Sequence, residues 1–254
     1  MNSNASVFIN RLRDDVLTSP VVRHPYLVSL GEGSLPNLEY ALEDFAYQYG
    51  VYSSMFPCYL SALIENLQNS GHQSTLLENL MEEQGNLHEV DLPEEIQKSI
   101  AGVPHTELYQ RFQAALGIDD DYRSTNEISQ TALLWSHQFH ELCKVDECVG
   151  IGAIGIGTEL IVSTVYEHIL ECIASHTDLT QSQYIFFELH TRCDDGHAEQ
   201  LISIAKELAQ DNSACERIEY GARMALQMRG LFWDKMLERA LASGGHERKL
   251  TSAV

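Results

Sequence analysis

Apolar side chains recur at the spacing of an α-helix along nearly every ordered stretch of this chain. No two consecutive segments alternate apolar and polar residues in the way that strands do. The pattern therefore predicts an all-α protein, built as a multi-helix bundle. The predicted helices cover residues 4–17, 34–69 with bends at Gly50 and Pro57, 72–87, 105–117, 127–145, 150–173, 180–209 and 213–241.

No linker divides the 254 residues into separate domains. We expect a single helical domain over residues 1–242 and a tail over residues 243–254, which has no apolar stripe and is expected to be disordered. The predicted helix starts also include three with the spacing of a capping box. These are Ser124 with Glu127, Thr180 with Gln183, and Ser213 with Glu216.

The charge of the chain restricts its partners. Its 37 acidic and 16 basic residues give a formal net charge of -21, which disfavours nucleic acid and anionic membrane surfaces. The N-terminal residues lack the apolar region of a signal peptide, and no uninterrupted apolar run reaches the roughly 18 residues of a spanning helix. We therefore expect a soluble cytoplasmic protein without nucleic-acid or membrane partners.

The predicted helix over residues 180–209 carries three metal-ligand side chains on its apolar face. His190, Asp194 and His197 follow at steps of four and three residues, which keeps them on one side of a helix. Burial of a carboxylate and two imidazoles without partners would cost several kcal/mol, and hydrogen bonds, ion pairs or a metal can offset that cost. Hydrogen-bonded core histidines around a buried aspartate are the alternative to a metal site.

Three further polar side chains lie on apolar helical stripes. Glu83 shares its face with leucines, whereas Glu82 shares a face with polar residues, so Glu83 is the predicted inward carboxylate. Glu159 lies in the least polar segment of the chain, and His105 begins an otherwise apolar stripe. His88 lies near Glu83 in the sequence and competes with His105 as a ligand.

The combined set contains three carboxylates and three imidazoles from four helices. Carboxylates can bridge two cations while imidazoles supply terminal nitrogens, a mixture that suits iron or manganese better than structural zinc. We therefore predict two iron ions, with manganese as an alternative, and assign Glu83 and Glu159 as potential bridges and catalytic groups. The predicted metal ligands are Glu83, His105, Glu159, His190, Asp194 and His197.

A stripe of aromatic residues in the second predicted helix adds two catalytic candidates. Most of this stripe is expected to be core, but Tyr49 and Tyr52 need partners for their hydroxyls if they are buried. One of them is a candidate hydrogen-bond donor or redox-active group facing the metal site.

Gly150, Gly152 and Gly155 match the spacing of a dinucleotide-binding loop. That loop follows a strand, whereas the residues that precede these glycines have a helical pattern. We instead expect the glycines to let the helix that carries Glu159 approach a neighbouring helix closely.

These residues resemble the haem-oxygenase-like di-iron oxidases and oxygenases of the wider TenA and PqqC structural group. The resemblance covers nearly the whole chain. Within the group, the chain is most similar to the p-aminobenzoate-forming branch, which includes the Chlamydia protein associating with death domains. It implies a compact helical bundle with the six metal ligands between its helices. The segments that carry it are NLMEEQG, PHTELYQRFQAALGI, the helix of Glu159 and HTRCDDGH.

Two positions depart from that branch. Its members carry a tyrosine three residues after a histidine, where this chain has Leu27 after His24. They also carry a tyrosine directly before the third ligand, where this chain has Thr158. These departures leave the substrate open.

The leading hypothesis is an O2-activating non-haem di-iron oxidase or oxygenase. Its expected partners are O2 and a small organic substrate, such as an amine, an amino acid or a fatty acid. A homodimer is an open alternative, and the sequence identifies no electron donor. Two other classes remain: a metal-free TenA-like hydrolase or cofactor-pathway enzyme, and a helical interaction protein without catalysis.

Overall fold

The computed structural model of the chain describes residues 3–86 and 92–244, except for the side chains of Ser3 and of residues 192–195. Every regular element within these ranges is helical, which confirms the predicted all-α class. The α-helices are α1 (Ser3–Leu17), α2 (Pro25–Gly31), α3 (Leu38–Ser53), α4 (Phe56–Asn66), α5 (Ser70–Glu83), α6 (Glu94–Ile100), α7 (His105–Ala115), α8 (Asp120–Thr125), α9 (Gln130–Cys143), α10 (Glu147–Ile151), α11 (Leu160–His176), α12 (Gln181–Leu208) and α13 (Asn212–Ser243).

Two less regular segments complete the described chain. A 3-10 helix covers Pro20–Arg23, and a π-helix over Gly152–Glu159 joins α10 to α11. The π-helix packs against α12 and α13, while α12 also contacts α5, α7 and α11. The carboxyl end of the π-helix therefore lies where the helices that carry the candidate ligands meet.

The glycines of the π-helix have the role expected from the sequence. A Cβ atom on Gly155 would lie 2.6 Å from Cβ of Leu201 on α12, and one on Gly157 would lie 2.7 Å from Cβ of Ala225 on α13. Such contacts are too short for real side chains, so glycine allows this close approach. No strand precedes the glycines in the described chain, which removes the context of a dinucleotide-binding loop.

The single helix predicted over residues 34–69 is wrong. The structure has two helices there, with the break at Ser54 and Met55 rather than at Gly50. Pro57 lies in the first turn of α4, where its missing N–H breaks no helical hydrogen bond. Proline therefore starts a new helix here instead of bending a continuous one.

The three predicted capping boxes have different outcomes. The box of Thr180 and Gln183 is present at the start of α12. The other two are wrong, because Ser129 caps α9 and Asp211 caps α13. The short helices α2, α6 and α8 have no counterpart in the prediction.

The continuous helical stretch Glu147–His176 is long and apolar enough to cross a membrane, by length and composition alone. However, 83% of its most apolar window is buried inside the protein. That burial is typical of a core helix.

The predicted tail starts at residue 243, and residues 245–254 lie outside the described chain, so its disorder stays a prediction.

Candidate metal centre

Helix α12 places its predicted stripe in the interior. Phe187 and Leu201 are fully buried, and His190 is 9% exposed. The side chain of His197 is 13% exposed. The side chain of Asp194 lies outside the part of the chain that the structure describes. The helical spacing thus directs both histidines inward.

Three of the predicted ligands converge at one point. Nδ1 of His105 lies 3.1 Å from Oε1 of Glu83, and Nε2 of His190 lies 3.6 Å from the same oxygen. One ligand atom from each residue falls within 4.8 Å of the other two, and all three residues are buried. They come from the end of α5, the start of α7 and the middle of α12.

The orientation of His190 leaves one of its nitrogens free for the cluster. Its Nδ1 donates a hydrogen bond of 2.7 Å to the carbonyl oxygen of Phe186. The proton of the neutral ring therefore sits on Nδ1, and the lone pair of Nε2 faces Glu83. Metal-bound histidines commonly have this arrangement, in which a backbone carbonyl fixes the ring.

His105 is buried with unsatisfied nitrogens. It is 4% exposed, and in the described chain neither ring nitrogen makes a hydrogen bond of good geometry. Buried polar atoms of this kind are rare because burial without a partner is costly. His105 is therefore placed to bind something beyond the side chains around it.

A second carboxylate–imidazole pair lies nearby. Nε2 of His197 is 2.9 Å from Oε2 of Glu82. The expectation that Glu82 faces away from the core is wrong, since this residue is only 9% exposed. The last turn of α5 packs against α12 so that Glu82 and Glu83 both reach the interior. One-sided helical periodicity does not detect a helix end that is covered on two sides.

Glu159 lies at the last position of the π-helix and is 8% exposed. It makes no hydrogen bond or ion pair within the described chain. Burial raises its pKa, and the negative charge of Glu83 raises it further, while His197 and His190 act in the opposite direction. Glu159 therefore keeps a proton more readily than Glu83, whose pKa is shifted in the opposite direction.

Neighbouring groups also shift the pKa values of Glu83 and His197. Burial alone would raise the pKa of Glu83, but His105 and His190 lower it well below its usual range. Burial alone would lower the pKa of His197, but the hydrogen bond with Glu82 and the charge of Glu159 raise it. Without a metal, the carboxylates and imidazoles of this cluster are therefore the groups that stabilise one another.

A narrow cavity opens beside these groups. Only about 20 Å³ of it can hold the centre of a water-sized sphere. This is enough for one or two small ligands, since about 10–15 Å³ holds one water. The residues that line the cavity are Tyr49, Tyr52, Ser53, Phe56, Glu83, His105, Thr106, Thr158, Glu159, Val162, Tyr166, Phe186 and His190.

Both tyrosines predicted from the aromatic stripe are among these lining residues. The hydroxyls of Tyr49 and Tyr166 form a hydrogen bond of 3.0 Å. The hydroxyl of Tyr52 lies 3.5 Å from Oγ1 of Thr158. Leu27, by contrast, is buried in α2 and is not one of the residues that line the cavity.

The residues present fit a transition metal. Bonds of about 2.1 Å to nitrogen and oxygen place neighbouring ligand atoms about 3 Å apart. The separations of 3.1 and 3.6 Å around Oε1 of Glu83 are close to this value. Carboxylate and imidazole donors without thiolate favour iron or manganese over structural zinc. The unsatisfied nitrogens of His105 support the fit to a metal independently of these distances.

The sequence did not predict one residue of the cluster, and the choice between His88 and His105 as a ligand stays open. Glu82 was missed, although its position next to Glu83 in the final helical turn before Gly85 was a usable signal. His88, the alternative to His105, lies outside the described residues.

The match to known proteins identifies the class. A family model described as iron-containing redox enzyme matches residues 43–230, which is most of the chain. The chain therefore belongs to this family of iron-containing redox enzymes. It is an oxidoreductase with an iron cofactor, and the predicted membership of the di-iron oxidase group and the predicted enzymatic nature are confirmed.

Individual relatives agree with this class. A 4-aminobenzoate synthase of Chlamydia pneumoniae is 26% identical over 195 residues, which make up 76% of this chain and 79% of that protein. A CADD-like protein of unknown function from Nostoc punctiforme has a TM-score of 0.74 at 12% identity and covers 94% of this chain and 99% of its own. A domain with a haem-oxygenase-like fold from Shewanella denitrificans, of unknown function, has a TM-score of 0.69 at 14% identity, with 94% and 93% covered. These structures confirm the predicted haem-oxygenase-like bundle.

Proposed function

We propose that this protein is an O2-activating non-haem di-iron oxidase or oxygenase that acts on a small organic substrate. The observation that carries the proposal is the convergence of Glu83, His105 and His190 in a buried cavity, with unsatisfied nitrogens on His105. The pair of Glu82 and His197 beside it supplies donors for a second ion.

The proposed ligands divide into two sets. Glu83, His105 and His190 would hold one ion, and Glu82 and His197 would contribute to the second. Glu159 couples electrostatically to both sets, which supports its role as a bridge. Asp194 is retained as a sixth ligand from its helical spacing alone, and manganese remains an alternative metal.

Bound iron would supply the electrons that reduce O2, a reaction that amino-acid side chains do not perform. The protein supplies the surroundings. The aromatic side chains of Phe56, Tyr166 and Phe186 line the cavity and limit the water in it. Glu159, with its raised pKa, can hold a proton and release it inside the cavity. Tyr49 and Tyr52 present hydroxyls that can orient a substrate or donate a hydrogen.

The small cavity restricts the substrate. About 20 Å³ of room for water-sized spheres does not accommodate an organic molecule without movement of the lining side chains. We therefore propose a small amine, amino acid or fatty-acid end whose entry displaces an aromatic ring. The product named for the Chlamydia relative is disfavoured, because Leu27 and Thr158 replace the tyrosines of the aminobenzoate-forming branch.

The metal-free hydrolase has less support. An enzyme of that kind would need a reactive cysteine in the cavity, and none of the five cysteines that the structure describes lines it. Burial raises the pKa of Cys172 to about 12, which makes its thiol a poor nucleophile at neutral pH.

The test is O2 consumption by the iron-loaded protein in the presence of a chemical reductant. Glu159→Ala is expected to abolish iron-dependent consumption, because the carboxylate next to both ligand sets is lost. Glu167→Ala is the matched control, since it removes an exposed glutamate about two helical turns further along the chain. Unchanged consumption in Glu159→Ala, or equal loss in both variants, contradicts the proposal.

A further inference from the structure

Arg229 on α13 is a charged side chain that the proposed reaction does not use. It is only 1% exposed. None of its three guanidinium nitrogens makes a hydrogen bond in the described chain. Arginine stays protonated in proteins, so a fixed positive charge lies in the core, where the hydroxyl of Tyr49 and the charge of Glu159 act on it as polar groups of opposite sign. Such a group is costly to bury, which raises the question of its use.

Two aromatic rings surround the guanidinium group. Its central carbon lies 5.5 Å from the ring centre of Tyr52 and 5.3 Å from that of Trp135. These distances are within the range of cation–π attraction, which stabilises the buried charge. The two rings also stack on each other, with centres 4.0 Å apart and planes 7° from parallel.

The stacked pair connects the metal centre to the protein surface. Tyr52 lines the cavity beside Glu83 and Glu159. Trp135 lines a surface groove between α9 and α13, together with Leu134 and other residues of these two helices. Rings in face-to-face contact exchange electrons readily. The pair is therefore a short path by which oxidising equivalents could leave the cavity.

Oxidation could pass along the stacked pair in three one-electron steps. Tyr52 would give one electron to the iron-based oxidant of the proposed function, and its hydroxyl proton would pass into the cavity. The Tyr52 phenoxyl would then recover one electron from Trp135 and one proton from the cavity, leaving an indole cation radical. A reductant of the ascorbate class at the groove would restore the indole with one electron. Each passage wastes one oxidising equivalent that the substrate should receive.

The charge of Arg229 opposes the second transfer. Removal of an electron from Trp135 creates a second positive charge at about 5 Å from the guanidinium. Repulsion between like charges at this distance is strong where water is excluded.

We propose that Arg229 is an electrostatic barrier that keeps oxidising equivalents inside the cavity by making Trp135 harder to oxidise. The proposal rests on the proposed function for its oxidant. The barrier itself is a property of the metal-free protein, so it can be measured without iron.

The first experiment exposes the metal-free protein to azide radicals, each of which takes one electron from an indole and becomes azide. Peptide mass spectrometry then gives the ratio of oxidised Trp135 to oxidised Trp233, the other tryptophan of the chain. Arg229→Met removes the charge and keeps an unbranched side chain, whereas Arg229→Lys keeps the charge. Arg229→Gln is the second neutral variant, to be used if the first does not fold.

We expect the ratio to rise at least about tenfold in Arg229→Met and to stay near that of the unmodified protein in Arg229→Lys. An unchanged ratio in the neutral variant overturns the proposal. An equal rise in the lysine variant also overturns it, because packing rather than charge would then protect Trp135.

The second experiment incubates the iron-loaded variants with O2 and reductant but without substrate. Accumulation of oxidised Trp135 in Arg229→Met, and not in Arg229→Lys, supports the barrier during O2 chemistry. If Arg229→Met and Arg229→Lys differ in the azide-radical experiment but no iron-loaded variant oxidises Trp135, the proposed function fails and the electrostatic effect stands. If the two variants do not differ in the azide-radical experiment while the iron-loaded protein still consumes O2, the barrier fails and the proposed function stands.

Discussion

Two buried polar clusters in this protein use similar chemical groups in opposite ways. Around Asp44, which is 2% exposed, each carboxylate oxygen accepts a hydrogen bond of 2.7 Å from Arg239. Gln48 donates to Asp44 and to the carbonyl of Glu127, and its own oxygen accepts from the amide of Ser129. This cluster satisfies its own polar atoms, so it can stabilise the fold without a ligand.

The cluster around Glu83 is different. The buried nitrogens of His105 lack a hydrogen bond of good geometry within the described chain, and the carboxyl group of Glu159 is buried beside them. The carboxylates of Glu82 and Glu83 are opposed by imidazoles, whose charge depends on pH. A core cluster left incomplete in this way indicates a binding site, whereas the closed Asp44 cluster indicates structure.

The largest expected effect separates the two histidines that compete for one ligand position. His105→Ala should lower iron affinity at least about a hundredfold, since it removes a group that lies 3.1 Å from Glu83. His88→Ala should retain iron. Metal content after gel filtration checks both variants. Loss of iron from His88→Ala alone would transfer the ligand role to His88.

Asp44→Asn should lower the free energy of unfolding by about 2 kcal/mol, because the bidentate pair with Arg239 is lost while Arg239 can still reach solvent. Iron content should not change. Urea unfolding of the metal-free protein measures the first quantity. If this variant instead lost iron at full stability, the distinction between the two clusters would be wrong.

Glu159→Gln should change stability in the opposite direction to Asp44→Asn. It should raise the free energy of unfolding of the metal-free protein by about 1 kcal/mol at pH 7. The folded pKa of Glu159 is raised, so its stabilising contribution is complete below the unfolded pKa and disappears as pH rises through the folded pKa. The gain of the variant should therefore shrink toward acid pH. Urea unfolding across this range tests the sign, and a gain that grows as pH falls would refute it.

The smallest effect concerns the wall of the cavity. Tyr49→Phe removes the hydroxyl that lies 3.0 Å from that of Tyr166, and should lower the free energy of unfolding by about 0.5 kcal/mol. Iron content should stay the same, since Tyr49 is not a proposed ligand. Thermal unfolding and metal analysis of the same sample test both statements, and iron loss would place Tyr49 among the ligands.

The sequence predicted that several side chains of the candidate site are buried, because helical spacing reports which face of a helix is buried. His190 and His197 share their stripe with Phe187 and Leu201, and the structure places both histidines inward. The same reasoning applied to α13 would have found Arg229, which shares an apolar stripe with Ala225 and Phe232.

Other features could not be read from spacing. The spacing of a regular α-helix did not predict the π-helix before Glu159, because close packing against α12 and α13 accompanies it. It also assigned Glu82 to the outside, because the last turn of α5 is covered on two sides. The cytoplasmic location and the partners stay predictions, since neither depends on the fold.

The most direct test of the open cluster is the metal content of the protein produced with iron under reducing conditions. We predict about two irons per chain, retained in Asp44→Asn and lost in Glu83→Gln. A protein that binds no iron under these conditions, or a Glu83→Gln variant that keeps both ions, would contradict the assignment of this cluster as a di-iron centre.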